Sequence, residues 1–151
     1  MAKFSNPLRK VWAEGRTAVN GWLAVPSVIS AEAMAVAGWD VITVDLQHGT
    51  ADYSDLLALL PVIEKSGAAS MVRVPWVDEA SIMRTLDAGA MGIIAPMIET
   101  AADAERFVSA CLYPPDGRRS SGPIRARLAF GADYQPSANR EIVTLAMIET
   151  R

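Results

Sequence analysis

Cysteine and histidine are scarce in this chain, with one of each in 151 residues. A lone cysteine, Cys111, allows no internal disulfide and no thiolate cluster, which fits a reducing, cytoplasmic setting. It lies in the helical run Ala104–Leu112 and reads as a packed small residue rather than a nucleophile. Basic tracts are also missing: 14 Lys and Arg stand against 17 acidic residues, a net charge of -3. Nothing there invites nucleic acid or an anionic membrane surface. No apolar run approaches the ~20 residues of a membrane span. The start, Met1–Lys10, has no signal-peptide core, and no glycine-rich phosphate loop of the usual spacing occurs. The four tryptophans, at positions 12, 22, 39 and 76, are scattered and read as packing rather than a stacking platform.

What remains is 51% hydrophobic and 21% charged, a globular composition large enough for one domain with a real core. Strand-like and helix-like segments alternate throughout, the pattern of βα units around a parallel sheet. A leading helix is predicted over Asn6–Glu14, and strands over Trp22–Val25, Val41–Leu46, Ser70–Val74, Gly92–Met97 and Ile142–Ile148. Helices are predicted over Ala31–Ala37 with Ser30 as cap, Leu56–Lys65, Glu79–Asp87, Ala101–Cys111 and, shorter, Gln135–Glu141. Between Pro114 and Asp133 the sequence reads as one long irregular stretch, and loops of that length tend to be functional.

The stretch Val41-Ile-Thr-Val-Asp-Leu-Gln-His-Gly49 is the most informative. Ile42, Val44 and Leu46 share one face of the strand, and Thr43, Asp45 and Gln47 the other. Apolar outward, polar inward and polar at the C-terminal end is the pattern of an α/β barrel, whose strand ends build the active site. A complete barrel has eight strands and typically ~250 residues. Five strands with no helix after the fifth therefore predict a partial (β/α)8 TIM barrel, residues 1–151 being the N-terminal part of a longer domain. The apolar edge Val143–Ile148 would otherwise be exposed.

His48 is the first candidate for chemistry, since a carboxylate beside an imidazole orients it for general-base work, and Asp45 and Gln47 precede it. Arg73, mid-strand in Met71-Val-Arg-Val-Pro75, faces away from Val72 and Val74. It must be paired if buried; an ion pair with Asp45 and a fork for a substrate carboxylate both remain open. Glu149 suits a hard divalent cation if it lies at a barrel mouth. Glu99 reads as a structural acid near a helix N-terminus.

Val44-Asp-Leu-Gln-His-Gly49, Arg73-Val-Pro75, Gly92-Ile-Ile-Ala-Pro-Met97, Tyr113-Pro-Pro-Asp-Gly-Arg118 and Ile148-Glu-Thr150 together resemble the HpcH/HpaI aldolases, over about residues 20–151. These are class II, metal-dependent pyruvate aldolases related to 4-hydroxy-2-oxoheptanedioate and 2-dehydro-3-deoxyglucarate aldolases. The resemblance implies a barrel of the phosphoenolpyruvate/pyruvate type. It implies His48 as catalytic base with Asp45 as its carboxylate partner, and Arg73 as the group that binds the pyruvate carboxylate. Glu149 would be the first of two metal-ligating carboxylates, the second falling after Arg151. Gln47 stands where many members carry a glutamate that supports metal-bound water; its amide would hydrogen-bond without charge. Met147 departs from a glutamine often found there.

The implied reaction is cleavage of a 4-hydroxy-2-oxo acid to pyruvate and an aldehyde, or its reverse, with Mg2+, Mn2+ or Co2+ as cofactor. The implied partners are the 2-oxo acid, the aldehyde and further copies of the chain in a homo-oligomer. A citrate-lyase-like or malyl-CoA-type lyase is the alternative within the same superfamily, weakened by the lack of a basic patch for a CoA phosphate. A fragment with only an assembly role is the alternative outside enzymes.

Overall fold

A computed structural model describes residues 4–150. Five strands, β1 (Asn20–Leu23), β2 (Val41–Asp45), β3 (Ala69–Arg73), β4 (Gly92–Ala95) and β5 (Val143–Ala146), form one sheet in sequence order. Every neighbouring pair is parallel. Helices α1 (Pro7–Ala13), α2 (Val28–Ala35), α3 (Tyr53–Ser66), α4 (Glu79–Asp87) and α5 (Ala101–Cys111) precede and separate the strands, with α6 (Ile124–Phe130) and α7 (Tyr134–Glu141) inserted before β5. Sequential parallel order with a helix in each crossover is the wall of a (β/α)8 barrel, five strands of it.

The register assigns the faces. Gly21, Ile42 and Ser70 lie side by side, as do Leu23, Val44, Val72 and Ile93. These face the helices: a Cβ on Gly21 would stand 2.6 Å from the Met34 side chain of α2. Ile42, Val44, Val72 and Ile93 are completely buried there and join the α3 and α4 side chains Leu56, Leu60, Ile82 and Leu86 in one core. The opposite, inner face carries Trp22, Thr43 and Met71 in one row and Asp45, Arg73, Ile94 and Leu145 in the next.

Several boundaries differ from the sequence reading. The cap of α2 is Ser27, whose side chain accepts the Ser30 N–H at 3.3 Å. Ser30 itself lies inside the helix, so the helix starts three residues earlier than predicted. β1 starts at Asn20, held by a side-chain hydrogen bond between Asn20 and Thr43 at 2.9 Å. α3 starts at Tyr53 behind a capping box of Asp52 and Asp55. β5 is shorter than predicted, and its Leu145 is 38% exposed.

The stretch from Pro114 to Asp133 is not irregular throughout, since it contains α6. Two arginines fasten this region to the wall. Arg125 forks onto Glu64 of α3 at 2.5 and 2.7 Å and also reaches the Ala88 carbonyl at 2.9 Å. Arg119, fully buried, donates to Asp87 at 2.7 Å and to the Tyr134 hydroxyl at 3.1 Å. At the opposite end from the site described below, Asn6 caps α1 and donates to the Met91 and Glu141 carbonyls at 2.8 and 3.0 Å. Among the described residues no helix is long and apolar enough to cross a membrane.

Candidate active site at the strand C-termini

Parallel register places the last residues of β2 and β3, Asp45 and Arg73, directly opposite one another. Arg73 Nε donates to Asp45 Oδ1 at 2.9 Å and Nη2 to Oδ2 at 2.7 Å, a two-pronged pair with side chains only 13% and 7% exposed. The guanidinium also lies over the Trp22 ring of β1, 4.7 Å from its centre, so a cation–π contact supports it from the row below. Trp22 therefore does more than pack. Only three-dimensional register could show this, because sequence spacing does not relate β1 to β3.

Asp45 has a second task. Its Oδ1 accepts the backbone N–H groups of Gln47 at 3.0 Å and His48 at 3.3 Å, an aspartate-capped turn that folds the chain back at the strand end. Gly49 is required to complete the turn, since a Cβ there would collide with the Asp45 carbonyl. Thr50 N–H then docks on the Ala24 carbonyl after β1 at 2.9 Å. One carboxylate thus fixes both the arginine and the loop that presents His48.

The expected Asp45–imidazole contact is not formed. The Asp45 oxygens are taken up by the guanidinium and two backbone donors, which offer charge-assisted and pre-aligned bonds. The His48 side chain is exposed and, among the described residues, has no hydrogen-bond partner. Gln47 is half-buried, and its Oε1 is a buried acceptor with no donor among the described residues.

Glu149 lies three residues past β5, in an extended segment tied to the end of β4. Met147 N–H donates to the Ala95 carbonyl at 2.9 Å, Ile98 N–H to the Met147 carbonyl at 3.1 Å, and Met97 N–H to Glu149 Oε2 at 2.9 Å. Glu99 accepts from the Thr150 hydroxyl at 3.0 Å, while Thr100 rather than Glu99 caps α5.

The charges at this end influence one another. Burial works to push the Asp45 carboxyl up, but hydrogen bonds from Arg73 and from the Gln47 and His48 N–H groups, with the Arg73 charge, hold it below its ordinary value. Its hydrogen bond to Asp45 raises the Arg73 guanidinium against the opposing effect of burial. The charges of Asp45 and Glu149 raise it further. Asp45, Arg73 and Glu149 therefore belong to one electrostatic site, with His48 on its rim.

The donor set bears on a metal ion. Glu149 offers a carboxylate with one oxygen fixed by Met97 and the other without a hydrogen-bond partner among the described residues, the oxygen chemistry a hard divalent cation takes. No group of three or more His, Cys, Asp or Glu placed to hold a metal occurs among the described residues. This chain thus fits such an ion as one arm of its coordination.

Comparison with known proteins agrees with the geometry. The sequence profile of the HpcH/HpaI aldolase/citrate lyase family matches residues 20–151. A hydroxypyruvate/pyruvate aldolase of Rhizorhabdus wittichii is 45% identical over 146 residues, 97% of this chain and 58% of that protein. A 4-hydroxy-2-oxovalerate aldolase of Rhodococcus jostii is 38% identical over 96% of this chain and 57% of that protein. The crystal structure of an HpcH/HpaI aldolase/citrate lyase family protein from Burkholderia cenocepacia superposes with a TM-score of 0.86 at 32% identity, over 97% of this chain and 60% of that one. The chain spans about 58% of the length of the curated relatives it matches. With the family profile covering most of its residues and the barrel wall shared, the chain belongs to the HpcH/HpaI aldolase/citrate lyase family.

Proposed function

We propose that this chain carries the keto-acid half of a metal-dependent pyruvate aldolase, which cleaves 4-hydroxy-2-oxo acids to pyruvate and an aldehyde or joins them in reverse. The observation that carries this reading is the Arg73 fork. It stands largely buried at a strand C-terminus, held from below by Trp22 and from one edge by Asp45, with Nη1 without a hydrogen-bond partner among the described residues. An arginine so fixed presents planar donors to a carboxylate and loses little freedom on binding it. The names of the aldolase relatives support the same class of substrate.

In the cleavage direction Arg73 binds the carboxylate of the 2-oxo acid and counters charge that develops on its oxygens. His48, fixed at its backbone by Asp45, takes the proton from the C4 hydroxyl, directly or through water. The C3–C4 bond then breaks: its electron pair passes to C3 to give the pyruvate enolate, and C4 leaves as the aldehyde. Return of the proton to C3 releases pyruvate. Gln47 adds an uncharged amide whose Oε1 has no donor among the described residues. Glu149 would hold a divalent cation, Mg2+, Mn2+ or Co2+, which when bound supplies Lewis-acid stabilisation of the enolate.

The test is pyruvate release from a 4-hydroxy-2-oxo acid by the protein expressed from its complete gene, with and without Mn2+. Cation-dependent release that disappears in Arg73→Ala is expected. Release that survives both removal of the cation and loss of the arginine would refute the reading.

A further inference from the structure

Met97 is the only residue other than glycine in the described chain with a positive φ, +56°. A left-handed backbone is uncommon for a side chain of this kind, and such strain persists only where the surroundings enforce it. Here it follows the β4 end Ala95-Pro96 and lies between two ladder bonds, Met147 N–H to Ala95 O and Ile98 N–H to Met147 O. Between them the Met97 N–H donates to Glu149 Oε2 at 2.9 Å. The strained residue is thus the one whose amide grips the carboxylate.

We infer that Met97 is a positioning residue: its left-handed backbone aims an N–H at Glu149 and so fixes the carboxylate for a divalent cation. This rests on the reading of Glu149 as a metal ligand. One oxygen is committed to the amide, and the orientation of the other is set by it. Outer partners of this kind typically contribute roughly 10–100-fold to metal affinity. The methionine side chain has no part in the bond; the backbone conformation does.

The test uses protein from the complete gene, with Mn2+ as probe, read by water-proton relaxation together with the melting midpoint of the metal-free protein. Asparagine and glycine tolerate the left-handed region, whereas a β-branched residue resists it. Met97→Asn and Met97→Gly should therefore keep Mn2+ affinity near that of the parent, and Met97→Val should weaken it by about tenfold or more. The loss should exceed anything the shift in melting accounts for. Equal Mn2+ affinity in Met97→Val and the parent would overturn the inference. So would a tenfold loss in Met97→Asn and Met97→Gly, a comparison that stands even if Met97→Val does not fold. A parent protein that binds no Mn2+ would instead remove the role of Glu149 on which the inference rests.

Discussion

Arg73 and Asp45, the last residues of two adjacent parallel strands, are joined by two parallel hydrogen bonds of 2.9 and 2.7 Å. The pair links the strand register to the site, because the same carboxylate also holds the turn leading to His48. Removing one partner of a buried pair leaves the other charged and unpaired. Asp45→Ala should therefore destabilise the fold by about 3–5 kcal/mol, measured by urea unfolding.

The pair also sets an acid limit. The Asp45 carboxyl is held below its ordinary 3.8 in the folded chain. A depressed folded value means that its contribution to stability is fully present above the unfolded value and is lost as pH falls through the folded one. The stability difference between the parent and Asp45→Asn should be constant near neutrality and shrink as pH falls through and below the ordinary value of 3.8. Unfolding free energies from neutral pH down to about pH 2 check it; a difference that grows as pH falls would be the wrong sign of coupling.

His48 is exposed and makes no side-chain bond among the described residues, so its removal should spare the fold. In protein from the complete gene, His48→Ala should lower kcat roughly 10²–10⁴-fold, the usual contribution of a general base, with an unchanged melting midpoint. Turnover near that of the parent would place the proton elsewhere.

Gly49→Ala tests the turn without touching a charged group. The added methyl would meet the backbone carbonyl of Asp45, which has little room to yield. A loss of roughly 1–3 kcal/mol of stability is expected, with a fall in kcat because the His48 loop moves. Unfolding and rate measurements on the same preparation separate the two effects.

The barrel wall is legible because strand-like and helix-like segments alternate along the chain, and residue parity puts Asp45 and Arg73 on one face. Both possibilities for Arg73 came from charge burial alone, and the ion pair is one of them. The helix Ile124–Phe130 was illegible for a physical reason. Its Ile124 and Leu128 are 78% and 82% exposed and its cap position, Pro123, makes no side-chain bond, so neither an inward stripe nor a cap marks it. Trp22 beneath Arg73, and Met97 on Glu149, depend on neighbours 51 and 52 residues away, which no local pattern encodes. The resemblance to the aldolases located the candidate residues, but not that Asp45 serves the loop backbone rather than the imidazole.

The most direct measurement is exchange of the pyruvate methyl protons for deuterium, followed by NMR in protein from the complete gene. It needs only the keto-acid half of the site and no aldehyde. Exchange that requires Mn2+ or Mg2+ and is lost in both Arg73→Ala and Glu149→Gln is the expected result. Exchange that continues in Arg73→Ala at the parent rate would contradict the assignment of Arg73 as the pyruvate-binding group.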